Sequence, residues 1–319
     1  FYLCPYSLFR RGEEAMEQEI FPGQWTEDQW SLVQQTVRDE ARKVSVAGSF
    51  LPRNGPWPSE TDSVPTQELD DVQPFPGGLA PPGAAPFRLA VDDRTTRPLS
   101  TISVNVFLRS TQAAQPDLSS ALSMFRRAAN IIARVEDAMV FNGQRARVDP
   151  RHFAPLPQVF TVSGGGVQWQ GLFETAELLS RNQLIPGSRR DIDPEDTVQW
   201  VEEAISQLES DGHLGPYALV VGTDLFGLIH TPTPVLVMPA DRIKPQLNGG
   251  PLLRSSTLQR LEGVIVSLGG DPVELVLASD ISVKFLQVTM EPRHVYRVSQ
   301  RFTLRIKQQG AIWGFSPGL

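Results

Sequence analysis

Apolar residues recur at three- and four-residue steps over one long stretch, DLSSALSMFRRAANIIARVEDAMVFNG, residues 117–143. Leu118, Leu122, Phe125, Ala129, Ile132, Val135 and Met139 form one stripe, the spacing that turns a helix face toward a core. Arg126, Arg127, Arg134, Glu136 and Asp137 fall on the other face. Asp117 offers a start, because its side chain accepts from the free amides of a first turn, and Gly143 offers a stop. Such a helix is a rod of about 40 Å. It either crosses a large core or forms the spine of a flat, elongated subunit.

The same periodicity predicts a helix in TEDQWSLVQQTVRDEARKV, capped by Thr26, with Glu27 and Asp28 favourable to the dipole. Trp30, Val33, Val37 and Ala41 form its stripe. A third helix is predicted in PEDTVQWVEEAISQLES, through Val198, Val201, Ile205 and Leu208. Alternation marks strands instead: Ile102, Val104, Val106 and Leu108 alternate with Ser103, Asn105 and Phe107. GPYALVVG reads as a buried strand, and TDLFGLIH as a short helix capped by Thr223 or Asp224. PLLRSST, GVIVSL, VELVLA and ISVKFLQV read as strands, and HVYRVSQRFTLRIKQ as one or two more. The pattern predicts an α+β protein whose back half is α/β and ends in antiparallel strands.

Three stretches lack either period. Residues 64–86 are rich in proline and glycine and lie between strand-like segments, the signature of an arm reaching away from the body. Residues 1–23 open on Phe1, Tyr2 and Leu3, which predicts an arm lying on another surface, with a disordered tail as the alternative. TPTPVLVM, residues 231–238, is a proline-stiffened loop.

Composition narrows the class. The chain has 319 residues, 40% hydrophobic and 20% charged, with no apolar run near the roughly 20 residues of a membrane span. Its first residues do not read as a secretory leader, since the basic pair follows the apolar part. A single cysteine, Cys4, excludes an internal disulfide and a cysteine-built metal site, and suits a reducing cytoplasm. A net charge of −7 argues against wrapping nucleic acid through phosphate contacts.

Candidate chemistry adds nothing catalytic. His152, His213, His230 and His294 have no metal-ligand spacing. Gly164, Gly165 and Gly166 lack the lysine and spacing of a phosphate loop and read as a tight turn between short strands. No GxSxG elbow is present, and Cys4 has no neighbouring base. Asp70-Asp71, Asp92-Asp93 and Glu202-Glu203 read as solvated acids. No catalytic residue, metal or cofactor is expected.

Several runs carry a family resemblance, which covers about residues 26–310. They are GPYALVVGTDLF (215–226), GGPLLRSSTLQRLEGVIVSLGGDPVELVLASDISVKFL (249–286), VYRVSQRFTLRI (295–306), RVEDAMVFNG (134–143) and RPLSTISVNVFL (97–108). In order and spacing the chain resembles the encapsulins, bacterial shell proteins with the tailed-phage capsid fold of the Hong Kong ninety-seven type. The resemblance implies an N-terminal arm (1–25), then a helix beginning the peripheral domain (26–65) and an extended loop (66–100). The peripheral domain with the spine helix (101–145), an axial domain (146–276) and a return to the peripheral domain with a C-terminal tail (277–319) follow. The spine's apolar stripe is expected to pack against the closing strands, and its arginine face to meet the lumen or a neighbour.

The function so implied is a self-assembling icosahedral shell in the cytoplasm, built from copies of the chain. It would enclose a ferritin-like or peroxidase-type cargo enzyme. TPTPVLVM is similar to the family's five-fold pore loop, so Thr231, Pro232, Thr233 and Pro234 are expected to line or frame a pore, and His230 to make passage pH-sensitive. A stiff surface loop is the alternative. ARKVSV resembles the family's cargo-docking stretch, placing a cargo targeting peptide against Trp30, Val33, Val37, Arg42, Val44 and Val46. The family's following aspartate is replaced here by Val46 or Ala47. A phage or prophage capsid packaging DNA is the alternative function. The absence of lysine between Glu68 and Pro98 excludes that fold's lysine-asparagine cross-link from the extended loop. A monomeric α/β enzyme lacks a site.

Overall fold

A computed structural model describes residues 25–70, 90–143, 146, 156–165, 169–233 and 236–318. The expected arm and the tip of the Pro/Gly excursion lie outside these residues, as do Cys4, His152 and Pro234.

The described chain enters through Trp25, whose indole donates to Ala113 O at 2.9 Å and stacks on Tyr296 with centroids 4.6 Å apart. Helix α1 (Glu27–Val44) then starts as expected. The Thr26 hydroxyl accepts from Gln29 N at 3.3 Å while Gln29 Oε1 accepts from Thr26 N at 3.0 Å, a reciprocal cap. After α2 (Ala47–Phe50) and β1 (Arg53–Asn54), β2 (Ser63–Pro65) and β3 (Glu68–Asp70) lead outward. β4 (Ala90–Asp92) and β5 (Thr96–Pro98) return antiparallel to β3 and β2, so the root of the excursion is a two-stranded ribbon.

β6 (Ser100–Arg109) alternates buried and outward positions as its sequence predicts. A short α3 (Ser110–Ala113) precedes α4 (Ser119–Asn142), the predicted spine, about 36 Å long. Asp117 Oδ1 accepts from Ser119 N at 3.3 Å, while the cap position itself is Leu118 at φ 51°. Gly143 closes the helix at φ 57°, and a Cβ there would lie 2.2 Å from Gly171 N, so only glycine fits. One expectation for the spine fails. Glu136 and Asp137 do not face outward but are 3% and 2% exposed, because the C-terminal half of α4 is enclosed on every side. Its outward arginine face is short, with Arg126 and Arg127 exposed and Arg134 half-buried.

β7 (Phe160–Gly164) is an edge strand beside β6 that ends on the first glycine of the run, while Gly166 lies outside the described residues. α5 (Leu172–Leu178) and β8 (Asn182–Ile185) follow, then α6 (Asp196–Ser210), β9 (Tyr217–Val221), α7 (Thr223–Ile229) and α8 (Pro239–Gln246). No side chain caps α7; Gly222 holds the cap position instead of Thr223 or Asp224. β10 (Leu252–Arg254), β11 (Gly263–Ser267), β12 (Val273–Val288), β13 (Arg293–Ile306) and β14 (Ile312–Pro317) complete the chain. The two predicted strands VELVLA and ISVKFLQV are one strand, β12, whose register shifts absorb the residues between them.

Two five-stranded sheets result, ordered β1-β12-β13-β6-β7 and β10-β9-β11-β14-β8. Residues 277–319 do not all return to the first sheet, since β14 pairs with β11 and β8 in the second. Likewise β7, within the expected axial span, belongs to the first. The central strands β9 and β11 of the second sheet are buried on both faces, which is why they read as unbroken apolar runs. Val220, Val264, Val266 and Ile312 join the core around α4, while Leu219, Val221, Ile265 and Phe315 join a core under α6, α7 and α8.

Charged groups tie the ribbon root to the closing strand. Arg305, buried, pairs with Glu274, which Lys307 also meets at 3.2 Å. Arg305 Nη1 donates to Pro65 O at 3.3 Å, and Arg301 donates to Ser59 O and pairs with Asp62, both at 2.7 Å.

Candidate functional site

Three places outside the cores have defined geometry. The first lies where α1 ends against α4. The Asp137 carboxylate accepts from the amides of Val46 and Ala47 at 2.9 and 2.8 Å, capping the first turn of α2. Ser45 Oγ donates to Glu136 at 3.0 Å, and Gln300 donates to the other Glu136 oxygen. Burial pushes Asp137 up to about 8, against the pull of the two amides, with Glu136 pushing the same way; burial also raises Glu136. A narrow cleft opens beside this pair, edged by Arg38, Arg42, Arg53 and Asp280.

The six residues expected to dock cargo do not share one surface. Val33 and Val37 are fully buried in the core, because the α1 stripe turns inward against α4. Trp30 is half-buried in an aromatic cluster, 5.0 Å from Trp25 and 6.0 Å from Tyr296. Arg42 edges the cleft, about 18 Å from Trp30 along the helix. Val44 and Val46 are half-buried beside it. Sequence reasoning missed Arg38, Arg53, Asp280 and Gln300. The two residues from β12 and β13 come to α1 only through the long-range strand pairing.

The second place is the loop joining α7 to α8. Thr233 is buried, and both its N–H and its hydroxyl donate to Val237 O at 3.0 Å. Thr231 Oγ1 donates to Gly227 O at 2.7 Å. Thr233 therefore braces the loop and does not line it, while Pro232 is exposed and Thr231 partly so. His230 turns back onto its own helix, with Nδ1 2.9 Å from Phe226 O and its ring stacked on Phe226 at 4.2 Å. The residues that project are Leu236, Val237 and Met238, exposed by 86%, 40% and 41%. An apolar run between two prolines was their only sequence signal.

The third place is a cleft of about 450 Å³ at the ribbon root, lined among others by Glu68, Arg97, Trp169 and Glu174. Arg97 Nη2 donates to Gln170 at 2.6 Å, and burial lowers the Arg97 guanidinium's pKa. Among the described residues no group of His, Cys, Asp or Glu is placed to hold a metal ion. Nor is any helix among them long and apolar enough to cross a membrane.

Comparison with known proteins gives these places a context. A family model described as encapsulating protein for peroxidase matches residues 19–148 and 167–303. The type 1 encapsulin shell protein EncA of Myxococcus xanthus (strain DK1622) is 27% identical over 297 residues, covering 90% of this chain and 91% of that protein. The virus-like particle from Pyrococcus furiosus superposes over 91% of this chain and 100% of its own, with a TM-score of 0.58 at 14% identity. The capsid of Myoviridae phage XM1 superposes over 86% and 91%, with a TM-score of 0.56 at 11% identity. At these identities the two structures speak for the fold alone, and the fold is that of tailed-phage capsids.

Proposed function

The chain belongs to the encapsulin family, and on that premise we propose that it is the tile of a closed icosahedral shell. The shell encloses a cargo enzyme of ferritin-like or peroxidase type and admits small molecules through pores. The observation that carries this reading is the family match over residues 19–148 and 167–303, nearly the whole described fold. A shell protein works by shape and association, so no residue is assigned a chemical step.

In this reading the first sheet with α1 and α4 is the peripheral domain. The second sheet with α6, α7 and α8 is the axial domain, and the ribbon is the root of an extended loop lying over a neighbour. The loop 230–238 surrounds the symmetry axis at the axial tip. A cargo targeting peptide docks near the α1 end, where Arg38 and Arg42 offer positive charge beside half-buried Val44 and Val46. Cytoplasmic assembly fits the single-cysteine chain.

Imaging the purified protein tests the proposal. Hollow icosahedral particles with a co-purifying enzyme support it. Particles filled with long DNA favour the phage capsid reading, which shares the fold, and a monodisperse monomer ends both.

A further inference from the structure

We propose that Leu236, Val237 and Met238 form an apolar constriction that passes small uncharged solutes and holds back hydrated ions. This rests on reading the loop 230–238 as the pore loop, names what that pore selects, and favours the peroxidase type of cargo, whose substrates are small neutral molecules, over a ferritin-like one that must be fed iron ions.

Three neighbouring apolar side chains face water, and Leu236 does so at φ 61°, a backbone region costly for leucine. The bonds around them rule out a frayed end as the cause. Thr233 makes two bonds to Val237 O, Leu236 N donates to Thr233 O at 2.8 Å, and buried Pro239 opens α8 immediately after. The loop is braced so that these side chains project. No residue from 231 to 238 carries a charge. His230, at the start of the loop, has its Nδ1 occupied by Phe226 O and its ring against Phe226, and the nearest acid beyond the loop's end is Asp241, whose N–H donates to Met238 O at 3.0 Å.

Symmetry about a shell axis repeats whatever a single tile presents, so three projecting side chains become a closed ring of apolar groups. An ion crossing such a ring sheds water and finds no polar replacement, so its desolvation goes uncompensated. A neutral solute loses far less, and apolar constrictions are known to exclude ions by dewetting.

The test uses shells reassembled around a dye-labelled dextran too large to leave, with quenchers added outside. Acrylamide is neutral, iodide is an anion and caesium a cation. Relative to free dextran, acrylamide is expected to reach the dye at least about tenfold faster than either ion. Acrylamide is larger than both bare ions, so that order also excludes a filter on bare-ion size. Leu236→Ser and Met238→Ser each narrow the gap, and Leu236→Asp raises caesium influx above iodide. Equal influx of all three quenchers into intact wild-type shells overturns the proposal, as do Leu236→Ser and Leu236→Asp shells that discriminate like wild type. Failure of the shell reading looks different, because electron microscopy then shows no closed particles to load. Should a variant fail to assemble, the wild-type influx order still decides.

Discussion

The junction around Asp137 and the loop around Leu236 are built from opposite materials. At the junction two carboxyls sit inside the protein, each nearly inaccessible, and earn their place through bonds to Ser45, Val46, Ala47 and Gln300. In the loop three aliphatic side chains stand in water, held there by Thr233. Burial of a charge-bearing group is costly unless its partners are supplied, and exposure of an apolar one goes unrewarded in a monomer. The junction supplies its partners from within the tile. The loop has no such partners within the tile, and on the proposed reading they are the same loops of neighbouring tiles. Internal polarity here fixes the shape of one subunit, while external apolarity is left for whatever stands beside it.

The largest expected effect comes from breaking the junction. Asp137→Ala strands the amides of Val46 and Ala47 and should cost about 3 kcal/mol, read as a lower denaturation midpoint of the dissociated subunit. Asp137→Asn sharpens the point through pH. The folded carboxyl titrates near 8 against an ordinary 3.8, so the folded tile keeps a proton that the unfolded chain loses. Its contribution is full below the ordinary value and falls as pH rises through the folded one, by at most about 1.4 kcal/mol per pH unit. The variant should trail wild type most at pH 5 and least at pH 8 in thermal unfolding. A gap that widens with pH would contradict the assignment.

A middle-sized effect separates packing from docking on α1. Val33→Ala and Val37→Ala should each lower stability by about 1–3 kcal/mol while the cargo content of assembled particles stays unchanged. Arg42→Ala should do the reverse, losing co-purified cargo with an unchanged melting profile. The smallest effects on stability belong to the loop. Leu236→Ser is expected to leave unfolding within about 0.5 kcal/mol of wild type, since nothing packs on a side chain exposed by 86%. His230→Ala should lose about 1 kcal/mol of local stacking and bonding, and the pH profile of solute influx should not move. A shift in that profile would restore the histidine as a sensor.

Most of the fold was legible because its signals are local. Thr26 caps α1 as its spacing with Gln29 implies, Gly143 ends α4, and the alternation of β6 places Ile102, Val104, Val106 and Leu108 inward. The failures share a cause. Glu136 and Asp137 read as an outward face because periodicity sees one helix, not the elements that enclose it. Val33 and Val37 were assigned to docking by resemblance although their stripe pointed to the core. β14 went unseen because IWGFSP is short and gains its place from partners more than forty residues away. In the loop, the two prolines signal stiffness, and the exposed apolar side chains come after them.

Two strands join pieces of chain that are far apart in sequence. β13 lies between β12 and β6 in one sheet, and β14 between β11 and β8 in the other. Arg301 and Arg305, both on β13, also clamp the ribbon root. Two strands far along the chain are therefore interior to the two sheets, and one of them fastens the root of the ribbon. Until they are in place each sheet is two unjoined pieces, so both halves of the fold wait on pairings between residues distant in sequence.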